Sequence, residues 1–374
     1  MVPNGWLHKQ IGEIASIQVG RDLVEDKYSE ISTTEYKYPV YSNTVENKGL
    51  YGFYNFPEYS GNAITIVGRG VGLGKAFARS PGESFGAIGR LLVLTPKNNS
   101  FDVIFFANYI NFALRIHNES GGIPQLPGAS LSKYFVMLPP LAEQQKIAQI
   151  LSTWDKAIAV TEQLLANSQQ QKKALMQQLL TGKKRLLDEN GVRFGGEWVQ
   201  FVLGNLCNIS TGKKDVNEGN PRGVYPFYTC ASEPTYSDSY SYDCEALLIA
   251  GNGSVGKTHY IKGKFEAYQR TYILSHFSKK IESLFLYQFI LCFLMKEIDR
   301  EKQHGAMPYI KLSALQKFKI IAPPILEQEK ITQVLSTADQ EIQVLQQKLD
   351  CLKQEKRAWM QQLLTGKRRV KVEA

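Results

Sequence analysis

Residues 139–186 read PPLAEQQKIAQILSTWDKAIAVTEQLLANSQQQKKALMQQLLTGKKRL, and residues 323–370 read PPILEQEKITQVLSTADQEIQVLQQKLDCLKQEKRAWMQQLLTGKRRV. The two stretches align without a gap at an offset of 184, with roughly 27 of 48 positions identical, including the PP pair, EQ, LST-x-D and an unbroken MQQLLTGK. Upstream of each copy, Gly122, Pro124 and Leu131 keep the same offset to Ala306, Pro308 and Leu315. Further back the match fades to YPVY at Tyr38 against YPFY at Tyr225. The chain therefore divides into two tandem halves, each a variable head followed by a near-constant segment. This reading places the heads at 1–138 and 198–322, the repeated segments at 139–182 and 323–366, a linker at 183–197 and a basic tail at 367–374.

Each repeated segment carries helix signals at both ends. Proline is tolerated in a first helical turn because its missing N–H has no partner there. Glu143 and Glu327 follow where the helix dipole favours an acid. Gly182 and Gly366 stand where a left-handed cap would end the helix, with Lys183 and Lys367 just beyond. Some 42 residues lie between these signals, about 60 Å of rod at 1.5 Å per residue. Apolar positions recur at alternating steps of four and three. One register reads Leu151, Ile158, Leu165, Lys172, Leu179 and repeats as Leu335, Ile342, Leu349, Lys356, Leu363. The other reads Ile147, Trp154, Thr161, Ser168, Leu175 and Ile331, Ala338, Leu345, Leu352, Trp359. Five such heptads predict a coiled coil. Antiparallel pairing within one chain would bring Trp154 and Trp359 to one end of the rod, and Leu175 and Ala338 to the other. The basic runs Lys183–Arg185 and Lys367–Lys371 read most simply as helix-terminal charge.

The heads read as mixed α/β (α+β). Runs of β type occupy Ala63–Val67, Arg90–Thr95, Ala246–Ala250 and Thr271–His276, and one apolar helix is expected in each head, at Val103–Ile116 and Leu284–Ile298. Tyrosines crowd the loops, including Tyr36, Tyr51 and Tyr59 in the first head and Tyr236, Tyr240 and Tyr242 in the second. Aromatic rings among basic and amide residues suit a nucleic-acid surface, although more than half of these rings are expected to pack on the sheets.

Gly251–Thr258, GNGSVGKT, satisfies the phosphate-loop pattern GxxxxGK[ST]. A phosphate loop must open a helix, whereas His259–Phe265 with Arg270–Leu274 reads as a β-hairpin. The matching stretch of the first head, VGRGVGLGK at 67–75, has Ala76 in place of the hydroxyl residue. The sequence favours a glycine turn that lets backbone and basic side chains approach another polymer.

A net charge of +9 favours a polyanionic partner. No stretch is apolar enough for a membrane span, and the amino terminus carries no signal-peptide core. The five cysteines, Cys207, Cys230, Cys244, Cys292 and Cys351, lack metal-ligand spacing and read as reduced thiols of a cytoplasmic chain. His8, His117, His259, His276 and His304 are scattered. With no metal site and no catalytic constellation, the chain is expected to perform no chemistry itself.

The succession of variable head, PPLAEQQKIAQILSTWD helix, variable head and PPILEQEKITQVLSTAD helix resembles the specificity subunit of type I restriction-modification systems over the whole chain. GNGSVGK and GRGVGLGK look like glycine turns of that family's target recognition domains. The resemblance implies that each head reads one half of a split, asymmetric site in double-stranded DNA, with the antiparallel helices as a ruler between them. It implies docking of two methyltransferase subunits, which use S-adenosylmethionine, and recruitment of two restriction subunits driven by ATP and Mg, with no cofactor in this chain. Candidate DNA contacts, chosen by position in glycine turns or polar loops, are Asn43, Arg69, Lys75 and Arg90 in the first head and Lys213, Asn252, Lys257, Gln269 and Arg270 in the second. Two other classes stay open at this point: a coiled-coil adaptor indifferent to DNA sequence, and a phosphate-loop ATPase with a coiled-coil stalk.

Overall fold

The Pro-Pro pairs and the glycines bound the long helices as the repeat suggests. In the computed structural model, which describes residues 2–118, 122–301 and 309–372, helices span Leu141–Leu179 and Ile325–Leu363, 39 residues each. At 1.5 Å per residue each runs about 58 Å. Gly182 and Gly366 follow in the left-handed region, at φ +71° and +68°. Ala306, Pro308 and His304 lie outside the described residues.

The chain forms two compact units that cut across its linear halves. One comprises residues 1–162 with 348–374, the other 163–347. Each unit thus holds one head, half of one long helix and the opposing half of the other, and within each the helices run antiparallel. In the first unit Glu143, Asp155 and Glu162 pair with Arg369, Lys356 and Lys353, at 2.7, 2.6 and 2.8 Å. In the second unit Ser168 bonds to Glu341, Lys172 to Asp339 and Arg185 to Glu327. The repeat makes these contacts reciprocal: Lys172–Asp339 and Asp155–Lys356 exchange roles at the offset of 184, as do Arg185–Glu327 and Glu143–Arg369. Trp154 and Trp359 flank the Asp155–Lys356 pair, while Leu175 and Ala338 flank Lys172–Asp339, as antiparallel pairing requires.

Of the seam positions, Leu151, Leu165, Leu179, Leu335, Leu349 and Leu363 are buried, whereas Trp154, Ile158, Ile342 and Trp359 are half-buried. Full burial of a leucine contributes about 1.5–3 kcal/mol. The helix ends are cores for the heads as much as seam. Ile147, Leu151, Leu363 and Leu364 join the first head's core, and their repeats Ile331, Leu335, Leu179 and Leu180 join the second's.

The first head contains two four-stranded sheets. One has the order Ala15–Val19, Leu92–Pro96, Ala63–Ile66, Ala76–Arg79, and the other Tyr28–Ser29, Leu50–Tyr54, Tyr38–Tyr41, Gly86–Ala87. In the second head the equivalent strands join into six: Asn208–Thr211, Thr271–Ser275, Tyr242–Ala250, Thr258–Ala267, Tyr225–Tyr228, Thr235–Ser237. Here the expected hairpin is corrected. Tyr242–Ala250 lies between Thr258–Ala267 and Thr271–Ser275 and pairs antiparallel with both, because its run of buried Ala246–Ala250 earns a central place in the sheet.

The expected apolar helices form at Val103–Ala113 and Ser283–Glu301. Asp102 caps the first by accepting from the N–H groups of Ile104 and Phe105, and Glu282 accepts from Phe285 N–H in the second. A two-stranded ribbon closes each head, Leu7–Gln10 with Phe135–Leu138 and Val199–Val202 with Lys319–Ala322.

Candidate nucleic-acid interface

The glycine turns carry the same backbone frame in both heads. In the first, Val67 N–H donates to Lys75 C=O at 2.9 Å, Gly74 N–H to Val67 C=O at 2.8 Å and Lys75 N–H to Gly72 C=O at 2.9 Å. In the second, Ala250 N–H donates to Lys257 C=O, Gly256 N–H to Ala250 C=O and Lys257 N–H to Ser254 C=O, at 2.9, 2.9 and 3.0 Å. Lys75 and Lys257 therefore occupy the same place. Gly68 and Gly251 correspond as well: a Cβ there would meet the carbonyl oxygen of Arg90 at 2.8 Å and of Arg270 at 2.5 Å. The residues that follow, Arg69 and Asn252, are thus counterparts.

A second turn packs against the first. Leu91 N–H donates to Ile88 C=O and Thr271 N–H to Tyr268 C=O, closing four-residue turns that hold Gly89-Arg90 and Gln269-Arg270. The first has φ +65° and +67° at its central residues, which makes it the mirror form, for which Gly89 is suited. Arg90 and Arg270 share a sequence place on turns of opposite hand.

Arg69, Lys75, Arg90, Lys213, Lys257, Gln269 and Arg270 are exposed, and Asn252 is half-buried. Among the described residues no hydrogen bond or ion pair engages the side chains of Arg69, Lys75, Arg90, Lys213, Asn252, Lys257 or Arg270, and Gln269 reaches only Asp215, at 3.4 Å. Asn43 is differently placed. Its Oδ1 accepts from Gly68 N–H at 2.8 Å and its amide nitrogen donates to Gly89 C=O, so it ties the two turns together.

Burial shapes the titration of the surrounding groups. The Tyr41 phenol is pushed up to about 12, chiefly by burial, despite the Arg79 guanidinium 3.3 Å from its ring centre. His259 is lowered by burial and by Lys257 beside it. Among the tyrosines, Tyr51, Tyr236 and Tyr240 are exposed, whereas Tyr41, Tyr54 and Tyr228 are core residues.

The phosphate-loop match does not open a helix. Thr258 is buried, donates its hydroxyl to Gly256 C=O at 3.0 Å and starts a ten-residue strand. Among the described residues no cluster of His, Cys, Asp and Glu is placed to hold a metal ion, and no helix is long and apolar enough to cross a membrane. All five cysteines are free thiols.

Three features escaped the sequence. Lys214, beside the chosen Lys213, turns inward to Ser237, Ser239 and the buried Glu266. Arg21, whose carbonyl accepts from Gly89 N–H as that of Lys214 accepts from Gln269 N–H, is exposed. Pro3 and Trp6 pack over Gly366 and Trp198 over Gly182, so a Cβ at Gly366 would meet Pro3 at 2.5 Å and one at Gly182 would crowd the Trp198 ring at 3.1 Å. The paired WL and WV at residues 6–7 and 198–199 were the available signal for the last.

The family profile described as type I restriction modification DNA specificity domain matches residues 3–167 and 195–354. The EcoDI specificity subunit of Escherichia coli is 34% identical over 169 residues, 45% of this chain, which spans 37% of that protein. The MjaVIII specificity subunit of Methanocaldococcus jannaschii is 23% identical over 99% of this chain and 94% of its own length. The crystal structure of a type I restriction-modification S subunit from M. genitalium shares the fold, with a TM-score of 0.73 at 17% identity, covering 97% of this chain and 99% of that one. With two matched segments that take in both heads and most of both long helices, this chain belongs to the type I restriction-modification DNA specificity family as a tandem of two specificity domains.

Proposed function

We propose that this chain is the non-catalytic sequence-reading subunit of a type I restriction-modification complex in the cytoplasm. Each head binds one half of a bipartite, asymmetric site in duplex DNA. The long helices set the gap between the halves and, with the heads, dock two methyltransferase subunits and then two restriction subunits. S-adenosylmethionine, ATP and Mg belong to those partners. The observation that carries this reading is the pair of glycine turns: one backbone frame, built twice, that carries an exposed, unpartnered lysine in each head, Lys75 and Lys257, and differing unpartnered side chains, exposed Arg69 and half-buried Asn252. Lysine and arginine on such a frame suit phosphate contact, and arginine, asparagine and glutamine suit base edges.

Mapping methylated adenines in cells with and without this gene, alongside its methyltransferase partner, tests the proposal. A two-part motif that disappears with the gene is expected. Binding of the assembled complex to all duplexes alike would instead favour the coiled-coil adaptor. Equilibrium dialysis of the isolated chain against ATP is expected to show no binding, since the GNGSVGKT turn enters a strand.

A further inference from the structure

The two glycine turns divide their side chains into a shared set and a differing set. Lys75 and Lys257 are the same residue on the same three hydrogen bonds. Arg69 and Asn252 follow glycines that both press against the carbonyl of an arginine, yet they differ in chemistry. A phosphate contact is the same whatever the base sequence, so one residue type serves two heads, whereas a base contact must change when the half-sites differ.

We propose that Lys75 and Lys257 grip DNA phosphates and that Arg69 and Asn252 each read one base in the major groove, Arg69 a guanine and Asn252 an adenine. This rests on the DNA-reading function proposed above. The guanidinium offers two parallel N–H donors that match the O6 and N7 acceptors of guanine, while the asparagine amide offers one donor and one acceptor that match N7 and the amino group of adenine. The absence of a Cβ at Gly68 and Gly251 seats both readers on a turn welded to its neighbour, which limits the entropy lost on contact. Asn43 carries the same amide but spends it on Gly68 and Gly89, and its counterpart Cys230 sits against the Arg270 carbonyl at 3.4 Å. Asn43 is therefore a positioning residue.

The test uses the full chain co-expressed with its methyltransferase partner, with methylated motifs mapped by long-read sequencing. Arg69→Asn is expected to change one position of the first half-site from guanine to adenine and leave the second half untouched. Asn252→Arg is expected to do the reverse in the second half. Arg69→Ala keeps the test open if asparagine is not accepted at 69: it relaxes the same position, with discrimination there falling about 5- to 150-fold. Lys75→Ala and Lys257→Ala should leave the motif intact, weaken binding of the assembled complex to every duplex equally and lower the logarithmic salt slope by about 0.9 each. An unchanged motif in both Arg69 variants, or a motif altered by Lys75→Ala, overturns the assignment. A wild-type assembly with no motif overturns the DNA-reading function itself, and the two failures are distinct.

Discussion

The Glu327 carboxylate has no exposed surface and receives two guanidinium N–H groups from Arg185, at 2.6 Å each. Its repeat, Glu143, is held by Arg369 at 2.7 Å. Removing either arginine leaves a buried carboxylate without its cation, a loss of about 3–5 kcal/mol in fully buried pairs. Arg185→Ala should approach that range and Arg369→Ala should fall short of it, because the first guanidinium is 20% exposed and the second 43%. Urea midpoints measured by tryptophan fluorescence check the order. The neighbouring glutamines explain why EQ is repeated: Gln144 accepts from Asp102 N–H and Gln328 from Glu282 N–H, each holding the entry to its head's apolar helix. Burial also sets a pH dependence. Cys207 is pushed from 9.0 up to about 12 by burial, and Tyr41 and Tyr260 from 10.0 to about 12, again chiefly by burial. The folded state therefore holds these protons more tightly than the unfolded one. Their stabilisation is complete below about pH 9 and is lost as pH rises towards 12, so the urea midpoint should fall across that interval and stay flat just below it.

At the scale of the element, the long helices are specified twice over, by seam and by ends. Lys172 and Lys356 interrupt otherwise apolar registers, and each meets the aspartate of the LST-x-D block on the opposing helix. Asp339→Lys would set two ammonium groups against each other. It should cost about 1 kcal/mol, with Lys172→Asp in the same chain recovering most of the loss, as a double-mutant cycle would measure. The helix-ending glycines face a stricter demand. Gly182→Ala places a side chain at φ +71° with its Cβ 3.1 Å from the Trp198 ring, and should cost about 1–2 kcal/mol or more by thermal unfolding. The repeat made these elements legible. It marked Pro-Pro, the heptads and Gly182, but the basic residues beyond read most simply as helix-terminal charge, since nothing in a linear string says that Arg185 returns to Glu327.

For the molecule as a whole, the proposed ruler makes a geometric prediction. Adding one heptad to both long helices preserves the seam and lengthens each by about 10.5 Å, close to three base pairs of duplex at about 3.4 Å each. The gap in the methylated motif should widen by about three base pairs with both half-sites unchanged, and an unaltered gap would remove the helices from that role. The candidate site was partly legible at this scale. Glycine turns pointed to Arg69, Lys75, Asn252 and Lys257, but the equivalence of these residues appears only when the hydrogen bonds around them are compared, because the loops differ in length and sequence. Asn43 stands in a polar loop of the sequence, and the bonds its amide makes to the backbone of Gly68 and Gly89 join residues distant along the chain.

Periodicity and the internal repeat sufficed to determine two heads and two long helices, since those follow from local caps and a seven-residue seam shared by both copies, whereas the antiparallel sense was an expectation that the ion pairs across the seam bear out. Only the tertiary structure decided which half of each helix serves which head, that Tyr242–Ala250 lies at the centre of its sheet, and that the terminal arginines clasp buried glutamates. The reason is physical: helix signals act within a few residues, whereas strand order and buried ion pairs arise from desolvation and packing between segments far apart in the chain.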